Sequence, residues 1–571
     1  MSSESVVDRL ESWIDPLAPD EAEERDALDA FLTSTLPDGR GEILEHRAEF
    51  PEAELRAFAA CGLVDALVPE AQGGRLDWAR AMRLASRLAA HDLDVTLCLG
   101  GTVLGATPLL VAGTQEQLAQ YFEPVRRGEM GGLALTEWKH GSDLLAGEAR
   151  ATPRDEHGRA VTLAEATHFM LSGEKSPTNN GTRGANVVVL ARTSEDADAF
   201  THTLFLVPRD AVGVLPGRKF SPMGFRNMDL SGVGLSGVTL PASAVVGKVG
   251  EGFAHTRQAL SISRSGVAHM ATGAAAAALG RAAKHVYARK LYGAPIAELG
   301  GVADLLATVT GRTVAAHALA RVASRAVARF GPEARAWTSA AKLVCPDALE
   351  ANVHDVGTLL GGRSLFVDDP FSRLRRSAPV LAIFDGSSQL QLDELWRYAG
   401  SWPDASPSEA AVRDAARALF DATRVPFDVR APSDGDALRL VAPTSVLSAT
   451  SRWLRPLGRA AAHVRERAGA SRRATQREKF AVSRAAAELF TLSAISVCRA
   501  ATDDDVARDV LGAALDEAAA KAGPRLASAL LEIDGARVDA SVLDLARDLV
   551  GLAALGPDAR ARLGKVVAAL A

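Results

Sequence analysis

The segment Ile383-Phe384-Asp385-Gly386-Ser387-Ser388-Gln389-Leu390-Gln391 sets one carboxylate between an apolar run, Val380 to Phe384, and a glycine. That setting buries or half-buries Asp385. Loss of water disfavours the charged form, so its pKa rises toward that of a useful general base. A second segment, Ala134-Leu135-Thr136-Glu137-Trp138-Lys139-His140-Gly141-Ser142-Asp143, reads by itself as a strand entering a turn: Thr136-Glu137 caps a bend and Gly141-Ser142-Asp143 makes the turn. A third, Lys175-Ser176-Pro177-Thr178-Asn179-Asn180-Gly181, reads by itself as a polar hairpin turn. Gly361-Gly362 fits either a helix C-cap or a point where missing side chains let backbone approach a phosphate. Arg264 lies in Ala259-Leu260-Ser261-Ile262-Ser263-Arg264, where a solvated helical face is the default for an arginine.

Positioning these groups falls to elements of two kinds. From Glu4 to Gly128 the apolar spacing is helical. Ala53 to Leu63, Trp78 to Leu88 and Gln115 to Arg127 read as amphipathic helices punctuated by Pro69 and Gly73-Gly74. Between Gly131 and Gly250 the runs turn short and β-rich. Asn186 to Ala191, Leu204 to Val207 and the alternating Val233 to Leu240 predict a small antiparallel β domain. Helical periodicity returns from Phe253 to Tyr398 as a bundle. Ser401 to Pro407 reads as a linker or sharp turn, and Glu409 to Ala571 as Ala-, Leu- and Arg-rich helix broken near Pro426, Pro432, Pro443 and Pro524. The expected division is 1-130, an N-terminal helical domain; 131-250, the β domain; 251-400, a helical bundle carrying Asp385; and 401-571, a C-terminal helical extension.

A chain of 571 residues exceeds what one core supports, so several domains are expected. With 47% hydrophobic and 23% charged residues it has an ordinary globular balance, and a net charge of -6 gives no reason to expect nucleic acid. Cys61, Cys98, Cys345 and Cys498 form no C-x-x-C pair. That argues against a metal site or disulfide framework and suits a reducing cytoplasm. Met1 to Ser5 lacks a basic n-region and an apolar h-region, so no secretory signal is expected, and no uninterrupted apolar stretch reads as a transmembrane segment. Basic residues crowd Arg452 to Lys479. They read as a solvated helix packing Trp453, Leu454 and Leu457 inward, or as a surface for an acidic carrier protein or membrane.

Taken together, the three polar segments resemble the acyl-CoA dehydrogenase family, with its Thr-Glu-x-x-x-Gly-Ser-Asp flavin loop, its Lys-x-Trp-Ile-Thr-Asn-Gly segment and its late Glu-Gly-Thr/Ser-Ser-Gln base loop. Val68-Pro69-Glu70-Ala71-Gln72-Gly73-Gly74, Gly113-Thr114-Gln115-Glu116-Gln117 and Met223-Gly224-Phe225-Arg226 extend the resemblance, which covers residues 50 to 400. It implies a mainly α fold with a small central β domain: an N-terminal helical domain, an antiparallel β-barrel domain and a helical bundle. The added C-terminal helices resemble those of very-long-chain acyl-CoA dehydrogenases, where they take the space of a second dimer, which implies a homodimer.

The resemblance also implies roles. Leu135 and Thr136 would bond the flavin pyrimidine edge, and Ser142 would sit near the pyrophosphates of flavin and substrate. Asn179 replaces a threonine that bonds near flavin N5, and Pro177 replaces an aromatic that lies against the ring. Arg289, in Arg289-Lys290-Leu291-Tyr292-Gly293, would bond a flavin phosphate across the subunit interface, while Gly361 and Gly362 would approach the pyrophosphate. Thr358 and Gly300 stand where glutamines are frequent. Ser387 and Gln389 would contact the flavin, Arg264 would wall the thioester carrier, and the Gly386 N–H would donate to the thioester carbonyl. Asp385 stands where the family has its catalytic glutamate. Some relatives keep the base just before the arginine. Here that residue is Ser263, which is no carboxylate.

The implied reaction is FAD-dependent α,β-dehydrogenation of an acyl thioester, acyl-CoA or acyl-carrier protein, in fatty acid or polyketide metabolism, with electron-transferring flavoprotein or oxygen reoxidising the flavin. No side chain accepts hydride, hence the cofactor. Two alternatives are a monooxygenase on the same fold supplied with reduced flavin, and a catalytically impaired acyl- or carrier-binding homologue. Aspartate is one methylene shorter than glutamate, which withdraws its oxygens by ~1 Å. A shift of that order costs on the order of 100-fold in rate unless backbone or substrate adjusts.

Overall fold

The computed structural model describes residues 6–570 except 16–18, 195–200, 404–406, 422–434, 450–454, 471–474, 535–537 and 539. Three helices matter most in the N-terminal part: α1 (Val6–Ile14), α2 (Trp78–His91) and α3 (Leu93–Ala112). Aspartates start the latter two. Asp77 accepts from the Arg80 N–H at 3.1 Å, and Asp92 accepts from the Val95 N–H at 3.0 Å, each satisfying an orphan donor of the first turn. Helix α3 is apolar on every face and therefore gives no amphipathic signature in the sequence. Helix α1 is clamped by charge. Glu11 and Asp15 accept from Arg321 and Arg325 at 2.8–2.9 Å, and Asp15 also pairs with Arg83 at 2.6 Å, all buried.

The β region consists of β1 (Gly131–Ala134), β2 (Arg150–Arg154), β3 (His168–Asn179), β4 (Asn186–Arg192), β5 (His202–Pro208), β6 (Val214–Pro216), β7 (Leu230–Pro241) and β8 (Val245–Val246). Its order is β6-β7-β3-β2-β4-β5-β8, with β1 laid on β4. Most ladders are antiparallel, but β1 pairs with β4 in parallel from Gly131↔Asn186 to Ala134↔Val189, and β2 meets β4 in parallel at Arg150↔Arg192. The sheet is thus mixed where spacing predicts a purely antiparallel one. The chain leaves β1 through the 137–148 turn, long enough to re-enter the sheet without a hairpin. Strand β3 carries a bulge between Lys175 and Thr178, where Pro177 is tolerated because the ladder is broken.

The bundle follows as α4 (Gly252–Ala288), α5 (Gly300–Phe330), α6 (Arg335–Leu360) and α7 (Ser388–Ala399), and the extension contributes α8 (Gln476–Ala501) and α9 (Asp505–Asp534). Helix α8 packs on α5, α6 and α7, and α9 on α5. Phe490 of α8 stands edge-on to Trp337 of α6 at 4.8 Å and to Trp402 at 5.5 Å. Two sequence expectations change. Pro524 lies inside α9 and does not break it. Helices α3 and α8 are long and apolar enough to cross a bilayer, although 67% and 83% of their apolar windows are buried in the protein. Within the basic stretch Leu457 is buried, while Arg467 and His463 pair with buried Asp534 at 2.6 and 3.0 Å. Arg452, Trp453, Leu454, Arg472 and Arg473 lie outside the described residues, as do Pro426 and Pro432.

Helices α2 and α4 touch backbone to backbone at Gly273, where an added Cβ would overlap the Ser86 carbonyl. Gly273→Ala is expected to lower stability by about 1–3 kcal/mol, the usual range for overpacking a tight core. Denaturant titration checks this: the midpoint falls while the slope stays unchanged.

Candidate active site

The base loop is built from two consecutive left-handed residues, Asp385 at φ 55 and Gly386 at φ 88, which turn the chain from the short helix Val380–Ile383 into α7. Aspartate tolerates this region better than most side chains, and glycine tolerates it freely. Gln391 Nε2 donates to the Gly386 carbonyl at 3.0 Å and closes the loop. The Ser263 hydroxyl, from α4, donates to Asp385 Oδ2 at 2.9 Å. Asp385 as a residue is half-buried, but its carboxyl faces inward. Oδ1 is shut off from solvent and has no hydrogen-bond partner among the described residues.

Two cations stand near this carboxylate. Buried Arg264 donates from Nη1 to Ser339 Oγ at 3.1 Å and leaves Nε unpaired. Lys342, from α6, is buried with no hydrogen-bond partner for Nζ among the described residues. Burial pushes the Asp385 carboxyl up to about 6, against the opposing pull of Arg264, Lys342 and the Ser263 hydroxyl. Burial likewise lowers Lys342 to about 8, with Asp385 opposing the fall. Sequence reasoning missed Lys342. Its signal is a lone lysine inside Thr338-Ser339-Ala340-Ala341-Lys342-Leu343-Val344-Cys345, a run otherwise without charge.

Ser263 and Asp385 open onto an apolar cavity of ≈ 60 Å³ walled by Trp78, Met82, Leu88, Leu99, Met270 and Phe384. That is space for about four to six water-sized bodies. A carboxylate oxygen at the wall of such a chamber is a proton acceptor held away from water.

The second half of the site lies where β1 meets β3. Lys175 Nζ donates to Glu137 Oε1 at 2.7 Å and to the Leu135 carbonyl at 3.0 Å, while Glu137 accepts from the Glu148 and Ala149 N–H groups at 2.6 and 2.9 Å. The Ser176 N–H donates to the Thr136 carbonyl at 2.8 Å. The carbonyls of Leu135 and Thr136 are therefore engaged within the protein, and the half-buried Thr136 hydroxyl has no hydrogen bond among the described residues. Asn179 Nδ2 donates to the Leu97 carbonyl of α3 at 3.1 Å, and its Oδ1 is buried without a partner. The amide thus offers a ligand an acceptor, where the threonine it replaces would offer a hydroxyl. These orphaned groups fit a flat heterocycle with polar edges.

Ser142 is exposed on its bend, Ser387 is half-buried ahead of α7, and Gln389 is exposed. Arg289, Gly361 and Gly362 are exposed and are not gathered with Asp385. Ala288, beside Arg289, lies 24 residues beyond Arg264 along one helix, roughly 36 Å at ~1.5 Å per residue. The Arg281–Asp369 pair at 2.6 Å ties that end of α4 to the segment following Gly361.

Family models for acyl-CoA dehydrogenases match in chain order: the N-terminal domain over residues 18–129, the middle domain over 132–238 and the C-terminal domain over 250–399. The chain belongs to the acyl-CoA dehydrogenase family. Its homologues are oxidoreductases acting on CH–CH donors. An acyl-CoA dehydrogenase of Bacillus subtilis is 29% identical over 61% of this chain and 90% of its own length. A 3-(aryl)acrylate reductase of Clostridium sporogenes is 30% identical over 61% and 90%. Among solved structures, an acyl-CoA dehydrogenase from Bacillus anthracis superimposes with TM-score 0.74 at 18% identity, over 97% of this chain and 96% of its own. The C-terminal extension is therefore part of a fold seen elsewhere in the acyl-CoA dehydrogenases.

Proposed function

We propose that this acyl-CoA dehydrogenase family member removes hydrogen across Cα–Cβ of an acyl thioester, with Asp385 as the base. The observation that carries the reading is Asp385 Oδ1, a buried and unpaired carboxylate oxygen at the wall of an apolar chamber. Oδ1 takes the α-proton. The Gly386 N–H donates to the thioester carbonyl and so acidifies the α-carbon. Arg264 and Lys342 hold Asp385 ionised against desolvation. FAD, held by Leu135, Thr136, Ser142, Asn179, Ser387 and Gln389, supplies the acceptor for hydride leaving Cβ; the solved Bacillus anthracis relative is described as complexed with FAD.

Arg289, Gly361 and Gly362 serve the flavin of a second copy, since Arg289 follows the end of α4 about 36 Å from Arg264 beside Asp385. Tyr292, Phe366 and Val367 are exposed apolar side chains near these residues in the sequence, which supports a homodimer through this face. The small apolar cavity favours a short, uncharged acyl group, on CoA or on a carrier protein. Electron-transferring flavoprotein or oxygen reoxidises the flavin.

Anaerobic mixing of purified protein with a panel of acyl thioesters tests the reaction, and no bleaching of the flavin band by any of them refutes it. The base must be ionised to act. The rate of flavin reduction is therefore expected to be low in acid, to rise as pH increases through about 6 and to level off above. Stopped-flow absorbance across that range checks the limb.

A further inference from the structure

We infer that Ser263 is the positioning residue of Asp385: its hydroxyl fixes one carboxyl oxygen and thereby aims the other into the apolar cavity. The inference rests on the dehydrogenation reading for its catalytic consequence, but the hydrogen bond is a property of the protein alone. A carboxyl group turns about a broad, two-fold terminal torsion, so an unheld aspartate presents either oxygen in a spread of directions. Here the 2.9 Å bond from Ser263 to Oδ2 is the one hydrogen bond to this carboxyl among the described residues. Arg264 and Lys342 act on it through space and fix no orientation.

The hydroxyl is also 3.3 Å from the Leu260 carbonyl, but its single proton goes to the nearer, charged acceptor. Ser263 stands on a 37-residue helix packed against α2, α3 and α6, so its Oγ is a fixed point, whereas Asp385 sits on a loop. An aspartate has too little side chain to reach far. A hydroxyl on the opposite wall sets its direction.

Arg264 from α4 and Lys342 from α6 face the carboxyl. Behind them, Glu394 and Tyr398 of α7 and Arg257 act on Arg264, and Asp347 acts on Lys342.

The test uses FAD-loaded full-length protein and the variants Ser263→Ala, Ser263→Thr and Asp385→Asn. Infrared difference spectra against Asp385→Asn isolate the carbonyl stretch of protonated Asp385, which is titrated without any substrate. Loss of a hydrogen bond to the charged form moves that titration to higher pH in Ser263→Ala, by about one pH unit. On the alkaline plateau, flavin reduction falls by about tenfold with unchanged thioester affinity. Ser263→Thr, which keeps the hydroxyl, restores both. A Ser263→Ala protein that titrates as the wild type, or reduces its flavin at the wild-type rate, overturns the inference, as does a threonine variant that behaves like the alanine one. A wild type that titrates as expected yet is reduced by no thioester sinks the dehydrogenation reading instead, and the titration still decides on Ser263.

Discussion

Asp385→Asn is expected to slow flavin reduction by acyl thioesters by about 10³-fold, the middle of the range for removing a positioned general base. The substitution changes little else. Asparagine is isosteric, tolerates the left-handed backbone at φ 55, and its side-chain oxygen can still accept from Ser263. What it lacks is an oxygen that takes a proton. Thioester affinity and thermal stability are therefore expected to stay near wild type while the chemical step collapses, the pattern of an interaction made only in the transition state. Single-turnover reduction of freshly purified variant under anaerobic conditions is the measurement, and a rate within a few-fold of wild type would falsify the role of this carboxylate. An Asn-Gly sequence deamidates on storage, so activity that returns with time would point to the same oxygen. Asp385→Glu is expected to lose rate as well. The Ser263 bond and the small cavity are fitted to the shorter acid, and one more methylene drives the carboxyl past its partner.

Lys175→Met is expected to destabilise the protein by about 3–5 kcal/mol, as removal of one partner from a buried ion pair does. Lys175 and Glu137 are both buried, in contrast to exposed pairs such as Glu52 with Arg56, which contribute little. Burial disfavours the Glu137 carboxylate, yet Lys175 and the Glu148 and Ala149 amides more than offset this and hold its pKa below the ordinary value. Its contribution to stability is accordingly present above the usual carboxylate range and is lost as pH falls below it. Without Lys175 the buried carboxylate keeps the Glu148 and Ala149 amides but no countercharge, and the Leu135 carbonyl loses its donor, so the turn bearing Thr136 loosens. FAD retention on gel filtration is expected to drop along with the denaturation midpoint. Replacing Glu137 by Gln in the same protein is expected to recover part of the stability. A single variant as stable as wild type would show that the pair does not hold this turn.

The helical and β segments were legible because period and punctuation were strong. Trp78 to Leu88 grew into α2, and Asn186 to Ala191 became β4. Helix α3, apolar all round, offered no amphipathic stripe to mark its bounds, and Pro524 misled because a proline in a long packed helix can be absorbed by its neighbours. Asp385 was legible as a desolvated carboxylate from the apolar run before it. The company it keeps was not. Arg264 and Ser263 were placed at the site by resemblance alone, and Lys342, 43 positions before Asp385, was missed because only the crossing of α4 with α6 brings it in. Asn179 stands where the family bonds near flavin N5; contact with α3, unseen in sequence, claims its nitrogen.

Helix α7 begins two residues after Gly386, and Ser483 of α8 donates to its Leu392 carbonyl at 2.5 Å. Whoever trims this enzyme to the length of its shorter cousins would thus remove the buttress behind its own reaction centre. Compact versions would have to be engineered by repainting the oily flank of α5, α6 and α7, and a stop codon after position 400 would yield an insoluble fragment.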